Sequence, residues 1–323
     1  MKRRHALLAA PALATAFLLP GAATAQDYPA KTVKIVAPVQ PGGGVDLTAR
    51  TVAEQLTKSL GQTFIVENMS GGGGVIASQA VARAAPDGYT LMLGYVATHG
   101  TVPAVRKVPY DAVKDFSPIA MVAGTPNVLV VATNVPATDI KSLVEYAKAN
   151  KVSYGSAGQG SLTHLAMEQF RTAAGFEAVH AAYRGIGPAI TDILGGQTQM
   201  MMPGLAAAVP HIRAGKMKPI AVTGLKRHPL LPDTPTFEEL GYKGFDGVQW
   251  YGIVGPAKMP EAVVKKLNDE INKAIKSPEL QQRLSGEALE VMPMTPEQFG
   301  KFMQADILRW STLARERNIT LEN

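Results

Sequence analysis

What most constrains this chain is a unit it uses twice: a short apolar run, a glycine-rich loop, then a helix. Residues 33–37 (Val-Lys-Ile-Val-Ala) suit one buried strand and run into Pro41-Gly42-Gly43-Gly44. Asp46 reads as an N-cap, and Val52, Ala53, Leu56 and Leu60 recur at helical spacing. The unit returns at residues 152–156, with Ala157-Gly158-Gln159-Gly160 as the loop and Ser161 as the N-cap. Leu162, Leu165, Ala166, Phe170 and Ala173 then repeat the helical spacing. Short strands separated by helices imply an α/β fold, with a mixed, mostly parallel sheet flanked by helices.

The rest of the chain fits that pattern. Residues 63–66 read as a strand closed by Ser70-Gly71-Gly72-Gly73-Gly74, residues 75–84 as a helix, Pro86-Asp87-Gly88 as a turn and residues 89–94 as the next strand. Residues 190–194, 200–202 and 219–222 continue the alternation, with Met200, Met201 and Met202 read as core. Residues 261–276, 278–284 and 296–317 read as helices. Apolar stretches at 127–132 and 250–254 suit a chain that crosses between two lobes and returns. The expected division is residues 26–126 plus 250–323 for the first lobe and 127–249 for the second, with the two stretches as a hinge.

The N-terminus carries an address. Lys2, Arg3 and Arg4 precede an apolar run, residues 6–19, that is shorter than the ~20 residues a membrane-spanning helix needs. Pro20-Gly21 breaks it, and Ala23-Thr24-Ala25 supplies a small-x-small cleavage site before Gln26. Residues 1–25 therefore read as a signal peptide that sends the mature protein to the periplasm. The Arg3-Arg4 pair leaves the twin-arginine route open beside the general one. Without those three basic residues the count of 32 Lys and Arg becomes 29, against 26 acidic residues. A pI of 9.3 is thus no sign of a nucleic-acid partner, and no basic run with interleaved aromatics occurs. With no cysteine there is no disulfide and no thiolate metal site.

A strand feeding a glycine loop and a helix start makes an anion site, because the first helical N–H groups are unpaired and glycine lets the backbone approach closely. Gly42–Asp46 and Gly158–Ser161 both have this form. Tight connections and capping turns are the other reading of either loop alone; a matched pair at equivalent places favours a clamp between two lobes. Enzyme motifs are missing: no P-loop, no G-x-S-x-G elbow and no H-E-x-x-H. His164 reads as a surface or cleft polar residue, and Arg184 as either a carboxylate partner or a solvated loop residue. No cofactor or metal is called for.

A series of motifs closely resembles the Bug-type periplasmic solute receptors of the tripartite tricarboxylate transporter family. It comprises Pro41-Gly42-Gly43-x-x-Asp46-x-x-Ala49-Arg50, Val66-Glu67-Asn68-x-x-Gly71-x-Gly73 and Ala85-Pro86-Asp87-Gly88-Tyr89-Thr90-Leu91. It continues with Tyr183-Arg184-Gly185, Asp192-Ile193-Leu194-Gly195-Gly196-Gln197, Pro210-His211-Ile212-x-Ala214-Gly215-Lys216 and Lys226-Arg227-His228-Pro229-x-x-Pro232-Asp233-x-Pro235-Thr236. The resemblance implies a two-lobe Venus-flytrap fold and no catalysis, with a small organic acid held in the cleft by loop amides and ordered water. It implies delivery to membrane transporter subunits or a sensor kinase, by a monomer. Carried onto this sequence, ligand contacts fall on Val39, Gln40, Gly42, Gly43, Gly44 and Asp46 in the first lobe and on Ser156, Gly158, Gly160 and Ser161 in the second. Thr98 and His99 lie near the cleft, and Arg184 joins the candidates. A secreted α/β enzyme acting on a small carboxylate is the alternative. Two departures from the family pattern stand out: Val39 replaces a common aromatic, and Met200-Met201-Met202-Pro203-Gly204 lacks a usual acidic residue. The second tilts the expected ligand from an amino acid toward a plain mono- or dicarboxylate.

Overall fold

In a computed structural model, which describes residues 28–316 and 319, the run at 33–37 is strand β1 (Val33–Ala37). The leader expected at 1–25 lies outside the described residues. β1 has Val33, Ile35, Val36 and Ala37 buried, so both its faces are covered, as a central strand between helices requires. It pairs parallel with β2 (Phe64–Asn68) and β3 (Thr90–Tyr95). Helix α1 (Gly44–Leu60) makes the crossover from β1 to β2, and α2 (Val75–Ala82) the one from β2 to β3. A π-helical turn, Ala97–Thr101, and the short α3 (Val102–Val105) lead to β4 (Phe116–Pro126).

Only Asn127 separates β4 from β5 (Val128–Ala132), which belongs to a second sheet. The second lobe continues through α4 (Ile140–Ala149), β6 (Ser153–Ser156), α5 (Leu162–Ala174), β7 (Val179–Ala182), α6 (Ile186–Leu194), β8 (Met200–Met201), α7 (Leu205–Arg213) and β9 (Met217–Val222). Residues 223–247 return the chain to β10 (Val248–Pro256), followed by α8 (Glu261–Ile275), α9 (Pro278–Gly286), β11 (Glu290–Val291) and α10 (Pro296–Glu316). The first sheet has the order β11-β4-β10-β3-β1-β2 and the second β7-β6-β8-β5-β9.

Both sheets are mixed. β6 pairs parallel with β7 and β8, whereas β5 and β10, the strands that arrive from the other lobe, pair antiparallel with their neighbours. The apolar runs at 127–132 and 250–254 are apolar because they are mostly interior strand, not because they form crossings. The connections themselves are Asn127 and residues 223–247. β10 begins two residues before the boundary read from sequence, since Val248 and Gln249 pair with Pro126 and Thr125.

The two connections are tied together. Thr223 N donates to Asn127 O (2.8 Å), Asn127 N donates to Thr223 Oγ1 (2.8 Å), and that hydroxyl donates to Gly247 O (2.9 Å). Beside them, Trp250 Nε1 and Trp310 Nε1 both donate to the buried Asp306 carboxylate, whose pKa burial pushes up. Met200, Met201 and Met202 are fully buried in the second core.

Candidate functional site

Both glycine loops follow parallel strands at their carboxyl ends, the usual ligand position of open α/β sheets. The lobes meet there. Leu162 and Leu165 of α5 are buried in one cluster with Val36, Val96 and Trp250 of the first lobe. Ala206 of α7 packs against the cluster that holds Ala37, Val45 and Tyr251. The loops at the carboxyl ends of the two sheets therefore lie beside the seam where the lobes pack.

On the first-lobe side, Gly43 is the N-cap of α1, and Asp46 lies inside the first turn. Asp46 differs from the N-cap read in the sequence because its carboxylate has stronger partners. Oδ2 accepts from Gly42 N (3.0 Å) and Arg50 Nε (3.0 Å), and Oδ1 accepts from Asn68 Nδ2 (2.8 Å). Burial by itself would raise the Asp46 pKa, but these three donors outweigh it and the carboxyl sits below its usual value. Asp46 thus ties β1, α1 and β2 into one loop platform and takes up the Gly42 amide. The N–H groups of Gly43, Gly44, Val45 and Asp46 keep no partner among the described residues.

The glycines have distinct duties. Gly42 needs its left-handed φ of 98°, whereas Gly43 has φ −96°, ψ 173°, which any residue adopts. A Cβ on Gly43 would meet nothing within 4 Å. On Gly44 it would stand 3.0 Å from the Tyr251 hydroxyl. Half-buried Val39 accepts a bond from Asn68 Nδ2 (3.2 Å) through its carbonyl, and exposed Gln40 Nε2 donates to Ser70 Oγ (2.5 Å). The tetraglycine 71–74 is drawn against this platform, since a Cβ on Gly74 would stand 3.2 Å from that of Pro38.

The second-lobe loop satisfies most of its own amides. Ala157 N donates to Thr163 Oγ1 (2.8 Å), Gly158 N to Ser156 Oγ (3.1 Å), Gly160 N to His164 Nδ1 (3.2 Å) and Ser161 N to Gly158 O (3.1 Å). Ser161 is the N-cap of α5: its Oγ accepts from His164 N (3.3 Å) and donates to Gly158 O (2.6 Å). The N–H groups of Gln159, Leu162 and Thr163 have no partner among the described residues. The free donors are therefore offset by one to three positions from the glycines that shape the turn.

Behind this loop lies a ring stack. His164 and His180 stack at 4.0 Å between centroids, and Tyr154 stacks on His180 at 4.9 Å. Burial holds the His164 pKa down to about 4 and lowers that of His180, so both are neutral near pH 7. His180 Nε2 lies 2.7 Å from Ser156 Oγ, a nucleophile–base distance. Ser156 is fully buried, however, and its hydroxyl oxygen also lies within bonding distance of the Gly158 amide and carbonyl, so the pair braces the loop.

Thr98 and His99 stand beside α5 but turn inward. Thr98 Oγ1 bonds the Tyr95 carbonyl (3.0 Å) and lies 2.8 Å from His99 Nδ1. The His99 ring packs edge-on against Phe116 at 4.5 Å, fully buried, and burial lowers its pKa to about 3. Arg184 is exposed with no ion-pair partner among the described residues. The neighbouring Tyr183 N donates to Ser156 O (3.1 Å), which sets Arg184 at the edge of the second loop.

The sequence reading missed Tyr251 and Thr125. Tyr251 is buried on β10 beneath Gly44, and Thr125 Oγ1 accepts from Ala206 N (3.3 Å) at the start of α7. Their places depend on β10 and β4 pairing across the sheet, which no local motif announces.

Two α/β lobes joined by paired crossings, with loop-to-helix starts beside their seam, are the architecture of a two-lobe solute-binding protein. The comparisons with known proteins agree. Residues 48–319 match the family described as tripartite tricarboxylate transporter family receptor, and the chain belongs to that family of periplasmic solute-binding receptors. Protein BugT of Bordetella pertussis is 32% identical over 303 residues, covering 93% of this chain and 93% of BugT. An R. palustris protein solved with adipate superposes with a TM-score of 0.87 at 32% identity, covering 91% of this chain and 99% of that one. MatC from Rhodopseudomonas palustris with bound malate gives 0.82 at 32% identity, covering 88% and 99%.

Proposed function

We propose that this protein captures a small organic acid in the interlobe cleft and delivers it to membrane transporter subunits or a sensor kinase. The observation that carries the reading is the run of unpartnered N–H groups at the α1 N-terminus, with a second set at Gln159, Leu162 and Thr163 around the α5 N-terminus. An N-terminal helix turn favours an anion, and acceptor-only carboxylate oxygens match amide donors. Adipate and malate, bound by the structural neighbours, are consistent with that chemistry. Val39, Gln40, Gly43 and Gly44 form one wall in this reading, with the loop shaped by Ser156, Gly158, Gly160 and Ser161 as the other. Gly42 and Asp46 shape the first loop, and Arg184 assists from the rim. The mature chain starts at Gln26 in the periplasm after removal of residues 1–25, and residues 127–247 move as the second lobe.

The test is a thermal-shift screen of the mature protein with acetate, malate, adipate, citrate and benzoate. At a hundred times its dissociation constant a ligand stabilises by about 2.7 kcal/mol. A rise in melting temperature with at least one of the five, without turnover, is the expected result. No response to any of the five overturns the carboxylate reading, and product formation would favour an enzyme.

A further inference from the structure

Tyr251 carries a hydroxyl for which the fold itself provides no use. The residue is 4% exposed, and no described residue forms a hydrogen bond with its Oη. In the β3–β10 pairing Tyr251 stands opposite Tyr95, so the two side chains share the sheet face that also carries Leu93 and Ile253. The Tyr251 hydroxyl lies 3.0 Å from where a Cβ on Gly44 would be. Gly44 is the first residue of α1, and its N–H is among the unpaired ones, with those of Gly43, Val45 and Asp46. Ala206 of the second lobe packs on the same cluster, which places this point at the junction of the lobes.

The ring is buried but the hydroxyl oxygen is not sealed from solvent, so it is open to an occupant that takes the place of water. Burial, with Tyr95 nearby, also pushes the Tyr251 pKa up, so the group keeps its proton and can donate. A donor beside a row of donors calls for an acceptor-rich occupant. The absence of any side chain at Gly44 leaves that occupant room to reach both.

The geometry points to Tyr251 as a ligand-binding and specificity-determining residue: its hydroxyl donates to the same carboxylate that the α1 N-terminal amides hold. This rests on the carboxylate reading of the cleft and adds a side-chain donor beside its first-lobe amides. Discrimination follows from it. An occupant with an apolar group at that place leaves the phenol and the amides unpaired, which is a heavier penalty than a missing contact.

The experiment is Tyr251→Phe, which keeps the ring and removes only the hydroxyl. Calorimetric titration uses whichever of acetate, malate, adipate, citrate and benzoate stabilises the wild type, and the ligand-free melting temperatures are compared. A hydrogen bond to a charged group predicts a dissociation constant raised between about 10-fold and 100-fold. The ligand-free variant should melt no lower than wild type, because the removed hydroxyl had no partner. Binding within twofold of wild type overturns the inference while leaving the carboxylate reading intact. A ligand-free variant that melts well below wild type also overturns it, since the hydroxyl would then be structural. A wild type that responds to none of the five probes refutes both.

Discussion

Gly43→Val separates the shape of the first loop from its occupancy. Gly43 has φ −96°, and its missing Cβ faces open space, so valine fits the fold without strain. Losing a glycine N-cap costs about 0.5–1 kcal/mol, and removing glycine's freedom in the unfolded chain returns about as much. The ligand-free variant should therefore melt within about 2 °C of wild type. Binding should not survive, because two methyl groups stand where an anion must approach the Gly43 and Gly44 amides. With a carboxylate at a hundred times its wild-type dissociation constant, wild type gains about 2.7 kcal/mol, or about 5 °C. A 100-fold weaker variant gains only about 0.4 kcal/mol, under 1 °C. Differential scanning fluorimetry with calorimetric titration reads both numbers, and Arg184→Ala serves as the contrast. If Gly43→Val keeps the full ligand-induced shift while Arg184→Ala abolishes it, a rim salt bridge holds the anion and the amide reasoning is wrong. A ligand-free Gly43→Val that melts many degrees lower would show that the loop needs this glycine for its own shape.

Two further predictions concern the second loop. Ser161→Ala removes the α5 cap and the bond to Gly158 O, so it should cost about 1 kcal/mol and weaken binding; denaturation midpoints that match wild type would refute the capping role. The His164 pKa is about 4 in the folded protein against 6.5 for the free group, so between those values the unfolded chain binds more protons. Stability should accordingly fall as pH drops from about 6.5 toward 4, with His180 adding a slope of the same sign. His164→Gln should flatten that dependence in urea titrations across the range, and an unchanged slope would refute the assignment.

How much of this was legible in the sequence depended on whether the cause was local. β1, the crossover helices and the Ser161 cap follow from residues within a few positions of one another, and they lie where the periodicity puts them. The role of Asp46 does not, because it is decided by Asn68, which β2 brings alongside. Nor can a sequence tell Gly42, which needs a positive φ, from Gly43, which does not: glycine is the one residue whose identity says nothing about its sign of φ. Thr98 and His99 show a finer limit. The family resemblance puts their segment near the cleft, but a π-helical turn points both side chains into the first lobe. The apolar runs at 127–132 and 250–254 owe their hydrophobicity to strands β5 and β10, whereas the chain passes between the sheets at Asn127 and along residues 223–247.

The two sides of the cleft are built unequally, and that inequality bears on closure. The first-lobe donors are set by Asp46, Asn68 and Arg50, all within one lobe, so they exist whether the lobes are apart or together. A carboxylate that touches only them binds both arrangements alike and shifts nothing. The second loop spends the amides of Ala157, Gly158, Gly160 and Ser161 on its own turn, and among the described residues those of Gln159, Leu162 and Thr163 keep no partner. Leu162, which carries one of those N–H groups, and Leu165 are packed on the first lobe in this structure. Only binding energy made to the second loop as well can, in the solute-capture reading, favour the packed arrangement of the lobes. In the solute-capture reading, an acid with acceptors spaced to engage both helix ends closes the lobes, whereas one with a single short carboxylate occupies the first lobe and leaves the equilibrium where the apolar seam set it.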